Sequence, residues 1–116
     1  MDQGLGQRLF DFAIRVIKYT RQLPKSKEYE VIKNQLIKSA TSSGANYEES
    51  QAASSKPDFF NKINISLKEM RESNYWIRII LEIKGSDAEL EFVYKESFEL
   101  KSILGAINSK SVKRNN

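Results

Sequence analysis

Cysteine and histidine are both absent from the 116-residue chain. Their absence excludes disulfides, thiolate nucleophiles, histidine-based triads and most transition-metal sites, and it removes the commonest acid-base residue at neutral pH. Catalysis would have to rest on carboxylates, lysine, tyrosine or serine. Proline occurs twice and glycine five times, so little interrupts regular structure. No stretch approaches the about 18 uncharged apolar residues of a membrane span. Residues 1–8 lack an apolar run behind a basic start, and a soluble cytoplasmic protein without a membrane partner is expected.

What remains is a chain that is 40% apolar and 29% charged, enough for one core and one domain over residues 1–116. The net charge is +4 and the pI about 9.3, a bias that favours anionic partners such as nucleic acid without requiring one.

Apolar residues recur at steps of three and four, the period of a helix. A first helix is expected over residues 5–23, with Leu9, Phe12, Ala13, Val16, Thr20 and Leu23 on one stripe and Pro24 as its stop. A second, over 28–53, carries Ile32, Leu36, Ser39, Ser43 and Asn46, a stripe that turns small and polar toward its end. The third, over 56–84, opens on a capping box of Ser55 and Asp58, follows the seam Phe60, Ile63, Leu67, Met70, Asn74, Ile77 and Leu81, and ends at Gly85. The fourth, over 87–108, opens on a box of Ser86 with Glu89 and aligns Leu90, Val93, Ser97, Leu100, Leu104 and Ile107. Residues 109–116 read as a frayed basic tail. Short connections make neighbours antiparallel, so the fold class is an all-α, up-down-up-down four-helix bundle.

In the run from Trp76 to Ile83 six of eight residues are apolar, more than one buried stripe requires. The surplus predicts a subunit contact through Trp76, Ile79, Ile80 and Ile83, and hence a homo-oligomer.

The segment from Gln35 to Glu49, QLIKSATSSGANYEE, continues through Ser54-Ser55-Lys56-Pro57-Asp58-Phe59, Lys68-Glu69, Glu72 and Tyr75-Trp76. These residues resemble bacterial four-helix bundle proteins similar to those encoded in intervening sequences of large-subunit ribosomal RNA genes. Ser43 stands where that family usually has a β-branched aliphatic residue, and Lys38 where it usually has arginine. The resemblance implies a symmetric ring of bundles, a homopentamer, without an established enzymatic activity. The chain also resembles the accessory protein of diversity-generating retroelements, which implies a pentameric bundle acting with a reverse transcriptase and its RNA.

Within the matched segment Gln35 and Asn46, with Asn74 on the facing helix, are candidates for buried amides that set helix register. Hairpin counting places Asn46 level with Lys62 and Ile63, and Gln35 near Asn74. Glu48-Glu49 and Glu69-x-x-Glu72 suggest the magnesium site of an all-α nucleotide pyrophosphohydrolase. Position 52 is Ala52, however, and the hairpin register keeps the two pairs apart. The expectation is therefore a non-enzymatic protein with no metal, cofactor or small-molecule substrate.

Charge distribution is the stronger clue. Residues 8–27 hold six cations against Asp11 alone, whereas residues 85–108 hold five acidic residues against Lys95 and Lys101. Arg8, Arg15, Lys18, Arg21 and Lys25, with Lys110, Lys113 and Arg114 in the tail, are candidates for contacting the phosphates of RNA or DNA. Tyr19 is the one aromatic ring expected to be exposed among them. The competing expectation is that these cations pair with Glu91, Glu96 or Glu99, leaving a structural or protein-interaction module.

Overall fold

The computed structural model describes residues 3–114, and side chains from 4 to 111. Among them are four helices and no strand: α1 (Gln3–Thr20), α2 (Lys27–Gln51), α3 (Lys56–Lys84) and α4 (Ala88–Arg114). They form a bundle with extents of 47 × 24 × 23 Å. Each helix touches its two neighbours around a square in chain order; α2 against α3 is the most extensive contact, α1 against α4 the thinnest, and the diagonal pairs do not meet.

The stripe expected on α1 is buried throughout, Leu9 and Phe12 each only 1% exposed. The helix itself stops at Thr20, earlier than residue 23. Leu23 precedes Pro24, whose ring disfavours helical backbone in the preceding residue. The chain instead makes two tight turns, Gln22 and Leu23 donating to the carbonyls of Tyr19 and Thr20, and these still carry Leu23 into the core.

Ser26 opens α2 by accepting from the Tyr29 N–H. The buried stripe then follows Ile32, Leu36, Ser39, Ala40, Ser43, Tyr47 and Ser50. Tyr47 therefore takes the inner position expected of Asn46. Asn46 is half-buried and turns its amide back to the Ser42 carbonyl at 2.9 Å, and Gln35 is half-buried as well. Neither is a buried register amide.

Register between α2 and α3 is held by serines. Ser43 Oγ donates to the Ser66 carbonyl at 2.8 Å while Ser66 Oγ donates to the Ser43 carbonyl at 2.7 Å, and Ser39 and Ser73 share a hydrogen bond of 2.8 Å. All four are buried. Side chains this small let the two backbones approach closely, and mutual bonding satisfies hydroxyls that would otherwise be costly to bury. Asn74 is buried as expected; its Nδ2 donates to Ser97 Oγ on α4 and its Oδ1 accepts from Arg78 Nε.

Ser55 caps α3 as expected, accepting from the Asp58 N–H, but Asp58 reaches back past the Ser55 N–H of a capping box and accepts from the Ser54 N–H instead. Gly85 ends the helix with φ +93°, a left-handed value that glycine tolerates without strain. The next cap differs from expectation. Asp87, not Ser86, accepts from the Leu90 N–H at 2.8 Å, while Ser86 donates to Glu91 and Glu89 turns toward α1. The far end of α4 continues helically to Arg114 instead of fraying after residue 108. Ser109 and Ser111 bond back to carbonyls three residues earlier, and cations near a helix C-terminus complement its dipole.

Asp87 ties three elements together, accepting also from the Tyr19 hydroxyl at 2.8 Å and from Lys84 Nζ at 2.9 Å. The Leu90 N–H and then Lys84 hold its carboxyl at about 2, below its ordinary 3.8. A lowered folded-state pKa gives stability that is present above the ordinary value and lost as pH falls through about 2. Asp87→Ala should therefore cost about 1 kcal/mol at pH 7, as loss of an N-cap does. In thermal unfolding followed by circular dichroism, its deficit should shrink as pH approaches 2.

Candidate nucleic-acid interface

The cations of the first helix divide into two sets. Arg8 points along the α1/α4 seam and makes a two-pronged bond to Glu96, Nε to Oε2 at 2.9 Å and Nη2 to Oε1 at 2.8 Å, with Glu99 also at 2.9 Å. Arg15 grips Glu89 through both prongs at 2.8 Å and lies 3.6 Å from the centroid of the Phe92 ring. Hydrogen bonds to Glu96 and to Glu89 raise the arginine pKa values above their ordinary range, and the Arg15 bond lowers that of Glu89. Both arginines thus act in the fold, joining the two helices with the thinnest contact. Of the partners expected for them, Glu96 and Glu99 take part; Glu91 is replaced by Glu89.

Lys18, Arg21 and Lys25 form the second set. They are exposed at the C-terminal end of α1 and in the loop that follows, and none lies in an ion pair among the described residues. Lys110 is exposed on α4, at the opposite end of the bundle, because α1 and α4 run antiparallel. It cannot share a patch with Lys25 within one chain. The side chains of Lys113 and Arg114 lie outside the described residues.

Tyr19 is not the exposed ring of this region; it is 2% exposed and faces inward to Asp87. The most exposed rings among the described residues are instead Phe10, Tyr75, Phe92 and Phe98, at 56%, 48%, 44% and 53%. The periodicity of α1 could have placed Tyr19 correctly, since it follows Phe12 by seven residues and Val16 by three.

On α3 the expected interface set separates. Ile83 is 51% exposed, Trp76 and Ile79 are half-buried, and Trp76 Nε1 donates to Glu72. Ile80 is 0% exposed and belongs to the core of the single chain. It follows Ser73 by seven residues and so lies on the α2-facing edge of α3.

Glu69 is half-buried, its pKa raised by desolvation and then by Glu72. Glu48 and Glu49 are exposed on the other helix. Among the described residues no three carboxylates gather into a group that could hold a metal ion, and no helix is long and apolar enough to cross a membrane.

The family model of the 23S rRNA-intervening sequence protein matches residues 2–106. The chain belongs to this family. The fold of this chain is similar to that of a crystal structure from Bacteroides thetaiotaomicron, a protein of unknown function from the S23 ribosomal protein family. That protein is 30% identical, with a TM-score of 0.80 over 90% of this chain and 97% of its own. No curated protein matches. The Ser-Gly-Ala-Asn and Tyr-Trp segments lie on α2 and α3, helices whose facing serines set the register.

Proposed function

We propose that this chain is a non-catalytic, self-associating helical bundle that binds RNA electrostatically through the open cations at the end of α1. The observation that carries this reading is the unpaired trio Lys18, Arg21 and Lys25, exposed beside arginines already committed to the fold. Both the family's name, 23S rRNA-intervening sequence protein, and the S23 ribosomal protein family of its neighbour favour an RNA context.

Self-association draws support from large apolar side chains left in water on several helices, among them Phe10, Ile83 and Phe98. In a ring, each copy would repeat the same modest basic patch, raising avidity without any element that reads bases. A purely structural role is the second reading, favoured by the engagement of Arg8 and Arg15 with α4.

An electrophoretic shift assay tests binding. Unrelated single-stranded RNAs should be retained alike at low salt. With three phosphates neutralised per chain, log affinity should fall against log salt with a slope of about −2, at about −0.7 per contact. No retention at low ionic strength would remove the RNA reading and leave the structural one.

A further inference from the structure

The α3/α4 side of the bundle carries rings set among cations. Tyr75 and Phe98 stand 48% and 53% exposed, and the half-buried Tyr94 separates two shallow hollows of about 430 and 570 Å³. The hydrogen bond from Asn74 to Ser97 fixes how the two helices meet. Tyr75 and Phe98, each one residue beyond that pair, are thereby brought level across the seam, and Tyr94 lies about one helical turn from Phe98. Because the rings come from two helices, the arrangement has no signature along either one.

Lys101 Nζ sits 4.7 Å from the Phe98 centroid and the Arg78 guanidinium 5.8 Å from that of Tyr75, both within reach of a cation–π contact. Lys68 and Arg71 share the exposed outer stripe of α3 with Tyr75 and Arg78, at steps of three and four, and Lys95 is exposed beside Tyr94. None of these cations is in an ion pair among the described residues. The carboxylates of this side are Glu72, Glu82, Glu91 and Glu99. Arg8 neutralises Glu99, while Glu72 and Glu91 accept from Trp76 and Ser86, so the balance of the face is positive.

Exposed rings framed by cations are what an unpaired nucleic-acid strand requires: bases of any identity stack on the ring faces while cations follow the phosphates. The core of a protein-protein contact is instead depleted in charge. We infer that the α3/α4 face is a stacking platform for single-stranded RNA, with Tyr75 and Phe98 each taking a base and the surrounding cations holding the backbone over them. This inference rests on the RNA binding proposed above and adds a second site of different chemistry. The cations of α1 hold phosphates, whereas these rings hold bases. Phe98 is then assigned to RNA, leaving Phe10 and Ile83 to self-association.

Two probes of equal length separate bases from phosphates: a short oligoadenylate and the corresponding abasic sugar-phosphate strand. The wild-type protein should bind the oligoadenylate more tightly, by about tenfold for each ring that takes a base, the counterpart of about 1.4 kcal/mol of stacking. Tyr75→Ala with Phe98→Ala should bind both strands alike, at the wild-type affinity for the abasic one, with the helical signal and the mass in solution unchanged. Tyr75→Phe with Phe98→Tyr retains both rings and should retain the preference, as should Phe10→Ala, which removes an exposed ring of α1. Equal binding of the two strands by the wild type, or a preference that survives the double alanine change, overturns the platform and leaves phosphate binding by α1 in place. A lowered mass in the double alanine variant also overturns it and assigns the rings to a subunit contact. If the wild type binds neither strand at low salt, the RNA reading itself fails and the platform with it.

Discussion

Ile80→Glu should abolish the folded bundle, with loss of the helical circular dichroism signal at every protein concentration. The side chain is 0% exposed within a single chain and packs in the same core as Leu36, Ile77 and Leu100. Removing it forfeits the 2–5 kcal/mol, roughly, that large-to-small core changes cost. Placing a carboxylate there adds the further penalty of a buried charge without a partner, or of the proton uptake that avoids one. Together these approach the whole stability of an ordinary domain, about 5–15 kcal/mol. Ile83→Glu is the matched control, because Ile83 is half in water; it should leave the helical signal unchanged. A soluble, fully helical Ile80→Glu protein that had lost only its assembly would return Ile80 to the subunit surface.

Ser66→Leu is expected to have the second-largest effect. Ser66 is 0% exposed and trades hydroxyl-to-carbonyl bonds with Ser43 across the α2/α3 contact. A leucine there pushes extra carbon atoms against a neighbouring backbone that the serines hold close. Overpacking costs about 1–3 kcal/mol and the lost hydrogen bond about 1 kcal/mol more, so the melting temperature should fall by about 10–20 °C for a domain of this size. Ser66→Ala separates the two causes. It removes only the hydroxyl and should lose a few degrees. Equal losses in both variants would mean that hydrogen bonding, not close approach, is what position 66 supplies.

The helices, their order and most of the inward stripes were legible because an apolar period of three and four survives even when serines replace part of it. The α2/α3 register was legible too: counting across the hairpin puts position 46 beside 62 and 63, and the same alignment sets Ser43 opposite Ser66. The identity of the polar pairs was not. Asn46 drew notice as an amide, yet Tyr47 one position on fills the seam, because a phase error of one residue rotates a helix by about 100°. The signal that could have found the serines was their seven-residue spacing, Ser43 with Ser50 and Ser66 with Ser73, all four buried.

Ile80 was misplaced for a related reason. Apolar residues all around α3 show that the helix has surplus hydrophobic surface, but not which residues face α2, α4 or the outside. Helix ends were legible where proline or glycine acts; the continuation of α4 past residue 108 was not, since serines and lysines read equally well as tail or as helix. For the basic set, opposite charges on the first and last helices predicted pairing. Which cations pair depends on the rotation of α1, and that turns Arg8 and Arg15 to α4 while leaving Lys18, Arg21 and Lys25 in water.

That division gives the most direct test. RNA affinity as a function of salt, together with the melting temperature, should be measured on two variants. In Lys18→Gln/Arg21→Gln/Lys25→Gln, affinity at low salt should drop and the salt slope flatten, with the melting temperature retained. In Arg8→Gln/Arg15→Gln, the protein should lose stability, by the modest amount expected of exposed ion pairs, up to about 1 kcal/mol each, while its salt slope stays near that of wild type. Unchanged RNA affinity in the first variant would contradict a nucleic-acid role for the open cations of α1.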